Sequence, residues 1–412
     1  MASENEFDVI VVGGGPAGSG STMFLSRQGK RVLLLDKTTF PRDKTCGDGI
    51  SGKSMKMLLE LGIMPAIEKA EHKKIVGVLL SSPNGTELEV PIPQALQGTN
   101  YGYVARREVF DNVLFQQAKK EAVKTIENFM MTDLLWEGTQ VTGVKGKEIP
   151  SGKEFEFRAK VVVAADGATS LIAQKTGYYE TDDRHHIVAL RAYYEGVEGM
   201  KELIELHFTE ELIPGYFWVF PIDIEKGYAN VGLGMVAYDM KKKKVNLKEA
   251  LDKLIKNSKL FRERFKNAKL ISPIKAWNLP LGSKRRKLAG NGFVLCGDAA
   301  SLIDPFTGEG IGNALVSAKL ASQAIANAFE KNDFSEQILM KYHEAFWKEV
   351  GPELDASYKM QKMLNMKFLV NRIIEKATKD EELRDALSGT LVKDSPTKQI
   401  ASSKLLMKLL IG

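Results

Sequence analysis

The chain has 412 residues, of which 44% are hydrophobic and 27% charged, as in ordinary globular proteins. No apolar run approaches the roughly 20 residues of a membrane-spanning helix, and no basic segment followed by an apolar one opens the chain. These features argue against a membrane-spanning or secreted protein. Two cysteines are too few for a disulfide scaffold, and no Cys/His cluster has zinc spacing. We therefore expect a cytoplasmic protein with no bound metal and room for two domains.

The stretch 7–36 predicts a strand, a glycine-rich turn, a helix and a second strand. Residues 7–12 are an apolar, mostly β-branched run long enough for a buried strand, and residues 31–35 form another. Between them we expect a helix that begins near Pro16 and ends at Gly29. A strand–helix–strand unit with a glycine-rich first turn is typical of dinucleotide-binding domains.

The glycines of this turn have the G-x-G-x-x-G spacing of a dinucleotide fingerprint. Such glycines make the turn, let a pyrophosphate approach the backbone and let the helix pack on the strand. The helix start directs its N–H groups at the phosphate, and the acidic residue after the second strand can accept hydrogen bonds from a ribose. The predicted site comprises Gly13, Gly15, Pro16, Ala17, Gly18, Asp36 and Lys37.

The other elements follow in chain order after a polar, glycine-rich loop. Apolar residues at helical spacing predict helices at residues 53–61, 106–122, 247–265, 310–329 and 358–374. Short apolar runs predict strands near residue 130 and at residues 141–144, 161–165 and 292–296. Residues 75–93 predict a β-hairpin, and the alternation in residues 191–234 predicts one antiparallel sheet with a face open to a ligand.

The net charge of +6 is partly concentrated in two basic runs, residues 241–244 and 284–287. These runs are consistent with solvated surface, or with attraction to anionic lipid headgroups or to a diphosphate-bearing substrate. No recognised nucleic-acid-binding motif accompanies the charge, so we expect no nucleic-acid partner.

Three motifs stand in order: the glycine fingerprint with Asp36, then Asp166-Gly167, then Gly297-Asp298. Together they resemble the FAD-dependent oxidoreductases of the para-hydroxybenzoate hydroxylase superfamily over roughly the first 330 residues. The resemblance implies FAD as cofactor, with Asp298 on the ribityl chain and a following helix N-terminus directed at the flavin ring. The residues that it assigns to that turn are Pro305, Gly308, Gly310 and Ile311.

The same resemblance assigns further cofactor contacts. Asp166 and Gly167 would lie near the pyrophosphate, although a plain strand-end turn is the alternative. Arg107 would reach an FAD phosphate or ribose, with Arg106 as its rival for that position. Met131 would lie where the superfamily contacts adenine.

Two stretches narrow the group. The loop 40–49, with Cys46, Gly47 and Gly49 in its C-G-D-G end, resembles the cysteine-glycine loop of the geranylgeranyl reductase family. Tyr216, Trp218, Phe220 and Pro221, followed by G-x-G at residues 232–234, are similar to that family's Y-x-W-x-F-P…G-x-G substrate motif, with a slightly longer gap. The three aromatic residues alternate and therefore share one strand face.

The resemblance implies an α/β protein with a Rossmann-like FAD-binding domain, an inserted antiparallel β-sheet domain that binds substrate, and C-terminal helices. We assign residues 1–74, 100–178 and 285–335 to the FAD domain, residues 75–99 and 179–284 to the substrate domain, and residues 336–412 to the helical region. The FAD domain is discontinuous because its strands return late in the chain.

The implied reaction is saturation of isolated C=C bonds in a prenyl chain of a lipid, quinone or diphosphate, by hydride transfer from reduced flavin. Such a chain needs a groove lined by aromatic and aliphatic side chains. Cys46 is the candidate catalytic residue, as an acid or a positioning group, and simple packing at the flavin edge is the equal alternative. Cys296, on a buried strand, is expected to be inert.

The alternatives are a monooxygenase or halogenase of the same superfamily, or a prenyl-lipid-binding flavoprotein without catalysis. Flavin halogenases have a second tryptophan where this chain has Tyr216. The electron donor is expected to be NAD(P)H or a ferredoxin, since only one dinucleotide fingerprint is present. The basic, amphipathic end at residues 402–412 predicts either contact with the inner face of the membrane or a cap on the domain.

Overall fold

The apolar run at the start of the chain forms the central strand of a parallel sheet in the computed structural model, which describes residues 6–92 and 101–392. Val9, Ile10 and Val11 are fully buried, as expected of a strand covered on both faces. The sheet order is β18-β19-β11-β1-β2-β8, with β10 and β9 continuing from β11. Its strands are β1 (Glu6–Val12), β2 (Val32–Leu35), β8 (Lys124–Ile126), β9 (Phe129–Glu137), β10 (Gln140–Glu148), β11 (Glu154–Ala164), β18 (Ala289–Gly290) and β19 (Phe293–Leu295).

The register of the parallel strands brings the three sequence motifs to one edge of this sheet. Val12 lies opposite Leu35 and Ala164, and Ala164 lies opposite Leu295. The carboxyl ends of β1, β2, β11 and β19 therefore meet, and each is followed directly by one of the motifs. Ligands of doubly wound folds bind outside this edge.

A second eight-stranded sheet carries the aromatic motif, in the order β16-β12-β15-β14-β13-β5-β6, with β17 also on β12. The strands of residues 191–234 pair antiparallel, which confirms the predicted sheet, and the one parallel pair of this sheet is β5 with β13. The parallel pair arises because the early hairpin joins this sheet from a distant part of the chain. The strands are β5 (Gly77–Ser81), β6 (Glu87–Pro91), β12 (His186–Glu195), β13 (Leu203–His207), β14 (Tyr216–Asp223), β15 (Tyr228–Val236), β16 (Lys269–Leu270) and β17 (Lys275–Pro280).

A small antiparallel sheet packs its side chains against both larger sheets. It contains β3 (Gly49–Ile50), β4 (Lys73–Ile75) and β7 (Gly102–Val104), in the order β3-β7-β4. The expected limit between residues 74 and 75 falls within β4, and the domain limits stay a prediction.

Twelve α-helices surround the sheets in the described part of the chain. Helix α1 packs on β1 and β2 of the parallel sheet, and both α4 and α8 pack against α1. The helices are α1 (Pro16–Arg27), α2 (Gly52–Glu60), α3 (Met64–Lys69), α4 (Arg107–Glu121), α5 (Leu171–Lys175), α6 (Ala237–Lys243), α7 (Leu247–Asn257), α8 (Ile311–Lys331), α9 (Glu336–Glu349), α10 (Gly351–Met363), α11 (Lys367–Ala377) and α12 (Glu381–Val392).

Two helix predictions were wrong in extent. The lysine-rich helix ends at Asn257 rather than at residue 265, because Ser258 has extended backbone angles. The helix expected over residues 358–374 is two helices, since Met366 leaves helical geometry between α10 and α11. This break lets α11 contact β6, where Val370 and Ile374 join the apolar cluster on the second sheet. The end at residues 402–412 lies outside the described residues.

Candidate active site

One cavity of about 760 Å³ lies between the carboxyl edge of the parallel sheet and one face of the second sheet. The first sheet contributes the residues that follow its parallel strands, and the second contributes alternate side chains of β12, β13, β14 and β17. Most of its lining is apolar, so the cavity suits a ligand with both a polar and an oily part.

The fingerprint turn has no space for side chains. A Cβ atom on Gly13 would lie 2.2 Å from the Ala165 carbonyl oxygen, and one on Gly18 would lie 1.6 Å from the Gly13 oxygen. Gly13 also has a φ of 104°, which favours glycine. The Gly14 N–H donates to Asp36 Oδ2 at 2.6 Å, so the carboxylate after β2 is fixed beside the turn.

The two candidate arginines are separated by the fold. Arg107 lines the cavity and donates to both oxygens of Asp111 at 2.7 and 2.9 Å. Burial lowers the pKa of Arg107, but Asp111 and Cys46 beside it outweigh this effect and raise it overall. Arg106 does not line the cavity and donates to Glu71 at 3.0 Å, so it is not placed for the cofactor.

The remaining polar groups on this side follow β11 and β19. Asp166 Oδ2 accepts from the Leu171 N–H at 2.7 Å, and burial raises the pKa of Asp166. Asp298 lies 3.4 Å from Lys44 Nζ at the cavity wall. Glu309, just before α8, accepts from Ser51 and Ser54 through Oε1, while its buried Oε2 has no partner within the described residues.

The aromatic motif faces the cysteine loop across the cavity. Tyr216, Trp218 and Phe220 line the cavity from one face of β14, and Pro221 is on the other face. A Cβ atom on Gly47 would lie 3.0 Å from the Phe220 ring, and Tyr216 Oη donates to the Thr307 carbonyl at 2.6 Å. The cysteine loop, the turn before α8 and the aromatic strand therefore enclose one space.

A buried polar network behind the cysteine loop was not predicted from the sequence. Asn230 donates to the Cys46 carbonyl and to Asp48 Oδ2, both at 2.7 Å, and accepts from Trp218 Nε1 at 2.9 Å. Tyr193 Oη donates to the same Asp48 oxygen at 2.8 Å. The only sequence signal was the acid in the C-G-D-G loop, because Asn230 lies 182 residues away.

Most of the predicted site residues line this single cavity. Gly18 supports the turn by packing, and Arg106 and Pro221 lie outside the lining. The predicted residues that line the cavity are Gly13, Gly15, Pro16, Ala17, Asp36, Lys37, Cys46, Gly47, Gly49, Arg107, Met131, Asp166, Gly167, Tyr216, Trp218, Phe220, Asp298, Pro305, Gly308, Gly310 and Ile311.

The lining fits FAD with an apolar ligand beside it. The side-chain-free glycine turn at the start of α1 suits a pyrophosphate, and the buried, unpartnered Glu309 Oε2 can accept a hydrogen bond from a ligand. Within residues 6–92 and 101–392, no group of three His, Cys, Asp or Glu side chains could hold a metal ion. In the same ranges, no helix is long and apolar enough to cross a bilayer.

Comparisons with known proteins point to one family. A model described as an FAD-binding domain matches residues 6–346. The digeranylgeranylglycerophospholipid reductase of Methanosarcina acetivorans is 31% identical over 356 residues, which are 85% of this chain and 83% of that protein. Its counterpart from Methanocella arvoryzae is 32% identical over 364 residues, 88% of each chain.

Solved structures share the fold over nearly the whole chain. A geranylgeranyl bacteriochlorophyll reductase-like protein from Thermoplasma acidophilum has a TM-score of 0.85 and 25% identity, and the match covers 99% of this chain and 98% of that one. The flavin-dependent brominase Bmp2 has a TM-score of 0.80 at 21% identity, with 98% of each chain covered. The likeness to the brominase shows the fold alone.

Proposed function

Because the chain belongs to the geranylgeranyl reductase family of FAD-dependent oxidoreductases, we propose that it saturates isolated double bonds in the prenyl chains of a phospholipid. The comparisons confirm three predictions made from the motifs: the family, FAD as cofactor and the action on prenyl C=C bonds. The phospholipid is the finer part of the proposal, and the names of the curated relatives support it. When bound, FAD supplies the hydride chemistry.

The observation that carries the proposal is the meeting of the cysteine loop, the turn before α8 and the aromatic strand around one cavity. The glycine turn, Asp36, Arg107, Asp166 and Asp298 would hold FAD. The rings of Tyr216, Trp218 and Phe220 would pack along an alkene that offers no polar handle and would exclude water from it.

Cys46 is proposed to donate the proton that completes the saturation. It lines the cavity, its carbonyl is held by Asn230, and the Arg107 guanidinium lies beside its side chain. A thiol can act as a general acid when it lies within hydrogen-bond reach of the carbon that receives the proton.

The experiment uses the FAD-loaded enzyme, reduced with dithionite under anaerobic conditions and mixed with geranylgeranyl-chain phospholipids. Mass spectrometry should show a gain of about 2 mass units per saturated bond. Heat-inactivated enzyme with the same reductant is the control. Unchanged lipid across phospholipids, quinones and diphosphates would contradict the proposal.

The electron donor is proposed to be NAD(P)H or a reduced ferredoxin. Stopped-flow measurement of flavin bleaching with each donor in turn distinguishes them.

Since the proposed substrate is a membrane lipid, we also propose that the protein contacts the inner face of the membrane, where its basic residues meet anionic headgroups.

A second candidate is an oxygen-dependent activity, because the brominase has the same fold and Lys44 lies in the cavity, 5.3 Å from the Trp277 ring centroid. The aromatic motif has Tyr216 where flavin halogenases have tryptophan, which favours the reductase. Oxygen uptake stimulated by a halide and an aromatic substrate would favour the second candidate.

A further inference from the structure

The face of the second sheet that lines the cavity forms its floor, and one end of the β12–β17 edge of this floor is polar, unlike the rest. In the antiparallel register of these strands, Arg191 lies opposite Lys275 and Ala189 lies opposite Trp277. All four residues line the cavity. Two cations and an indole therefore lie side by side at one end of a mostly apolar floor.

Two buried donors at this edge have no acceptor within the described residues. Arg191 is only 1% exposed, and its Nη2 donates to Asp43 Oδ1 at 2.6 Å and to the Lys44 carbonyl at 3.2 Å, but its Nε donates to nothing. Trp277 Nε1 is likewise buried without a partner. A buried donor without an acceptor lowers the stability of the fold, so these two groups indicate a ligand that accepts hydrogen bonds.

Three cationic side chains lie at this edge, where they could contact a bound anion. Lys44 Nζ lies over the Trp277 ring, and Lys275 Nζ lies 2.7 Å from Asp43. Lys44, Arg191 and Lys275 pair with two carboxylates, Asp43 and Asp298, and Arg191 also interacts with the buried carboxylate of Asp48. Lys275 is 46% exposed, so this end of the cavity opens to water.

The opposite edge of the floor is apolar and covered. There β13 and β5 contribute Ile204, Leu206 and Val78, and Phe306 faces them. From β17 to β5 the floor crosses five strand spacings, roughly 24 Å at about 4.8 Å each. The floor thus runs from a polar, water-facing edge to an apolar one.

We propose that the β12–β17 edge is a subsite for a phosphate ester, which Arg191, Trp277 and Lys44 bind while an attached prenyl chain extends toward β5. The inference rests on the proposed function for the identity of the chain. A phosphate on the lipid and a phosphate of a reducing dinucleotide share this chemistry, and the continuity of the floor favours the lipid.

The test compares a phosphorylated and an unphosphorylated ligand with the same chain. Geranylgeranyl diphosphate and geranylgeraniol are each titrated by equilibrium dialysis against oxidised, FAD-loaded enzyme. Trp277→Phe keeps an aromatic ring but removes the indole N–H, and Lys44→Gln removes the positive charge. Lys201→Gln, on an exposed lysine of the same domain, is the matched control. Flavin content verifies that each variant is folded.

We expect each of the two site variants to weaken diphosphate binding about tenfold, the size of one charge-assisted hydrogen bond, and to leave the alcohol unchanged. Equal losses for both ligands, or no loss for either, would overturn the subsite. Slower flavin reduction by NAD(P)H with unchanged diphosphate binding would assign the phosphate to the dinucleotide and overturn the lipid source. If lipids are never reduced but the discrimination persists, the reductase proposal fails and the subsite stands.

Discussion

The buried carboxylate of Asp48 ties the cysteine loop to β12 and β15 of the second sheet. It has no exposed surface and accepts from Tyr193 and Asn230, while its backbone has a φ of 68° that few residues other than glycine adopt. Burial raises the pKa of Asp48 to about 6 from an ordinary value of 3.8, and its hydrogen bonds only partly oppose this effect. Its ionisation is therefore coupled to folding.

The first prediction concerns the pH dependence of stability. Because the folded pKa is raised, Asp48 stabilises the fold below its unfolded pKa, and this contribution is lost as the pH rises through about 6. Asp48→Asn removes the titration. The unfolding free energy of the wild type minus that of the variant should therefore fall by about 2–3 kcal/mol between pH 4 and pH 7.5. Urea titrations at several pH values measure this difference, and a flat difference would contradict the prediction.

The second prediction concerns the thiol of Cys46. Without a proton donor at this position, Cys46→Ala should lower the rate of lipid reduction roughly 100-fold or more, with normal flavin content. Cys46→Ser should recover part of the rate because the hydroxyl can donate. Cys296→Ala is the control, since burial raises the pKa of that thiol to about 12 and no step uses it. Equal rates for wild type and Cys46→Ala would leave Cys46 with a packing role.

At the scale of elements, the pairing of β14 with β15 explains the first glycine of the G-x-G, Gly232. Trp218 lies opposite Gly232, and Tyr216 lies opposite Gly234. A Cβ atom on Gly232 would lie 2.2 Å from the Trp218 ring and 2.3 Å from the Leu190 oxygen. The glycine therefore provides the space in which the indole lies flat on the neighbouring strand.

The third prediction follows from this pairing. Gly232→Ala should displace Trp218 and lower the unfolding free energy by about 1–3 kcal/mol, as overpacking does. Gly234→Ala is the matched control on the same strand, because its nearest neighbour would be 3.3 Å away. In the same assay, we expect Gly234→Ala to change the unfolding free energy by less than about 1 kcal/mol. Equal effects of the two variants would contradict the packing argument.

Elements with a strong local pattern could be predicted from the sequence, and contacts between distant segments could not. The run at residues 7–12 and the glycine turn were predicted with their neighbours because strand and helix periods are local. Met366 interrupts a continuous apolar pattern because α11 packs on β6, which no local signal shows. Likewise Arg106 and Arg107 are equivalent in sequence, and only the orientation of α4 directs Arg107 into the cavity.

At the scale of the whole molecule, the C-terminal helices cover the second sheet beyond the cavity. Side chains of α10, α11 and α12 form one apolar cluster with β5, β6 and β13. At the α10–α11 break, Phe368 is 68% exposed and Met366 is 49% exposed. The Arg372 guanidinium lies over the Phe368 ring, so an apolar group and a cation are presented together.

The fourth prediction tests whether this break contacts the membrane. Phe368→Ser should weaken binding to vesicles that contain anionic phospholipid about 10- to 100-fold, because one buried phenyl ring contributes about 1.5–3 kcal/mol. Trp136→Ser, at an exposed aromatic residue of β9, is the control. Vesicle cosedimentation measures both. Equal binding of Phe368→Ser and wild type would place the membrane contact elsewhere.

The proposed reaction has one position in the cavity, beside Cys46, whereas the floor is long. Cys46 is held in place by Asn230, and Tyr216 is joined to the turn before α8, so neither can travel along the sheet. A chain with several double bonds would therefore have to slide lengthwise to bring each one to the same point. The order in which the bonds of one substrate disappear would then record how deeply its tail is inserted at each turnover.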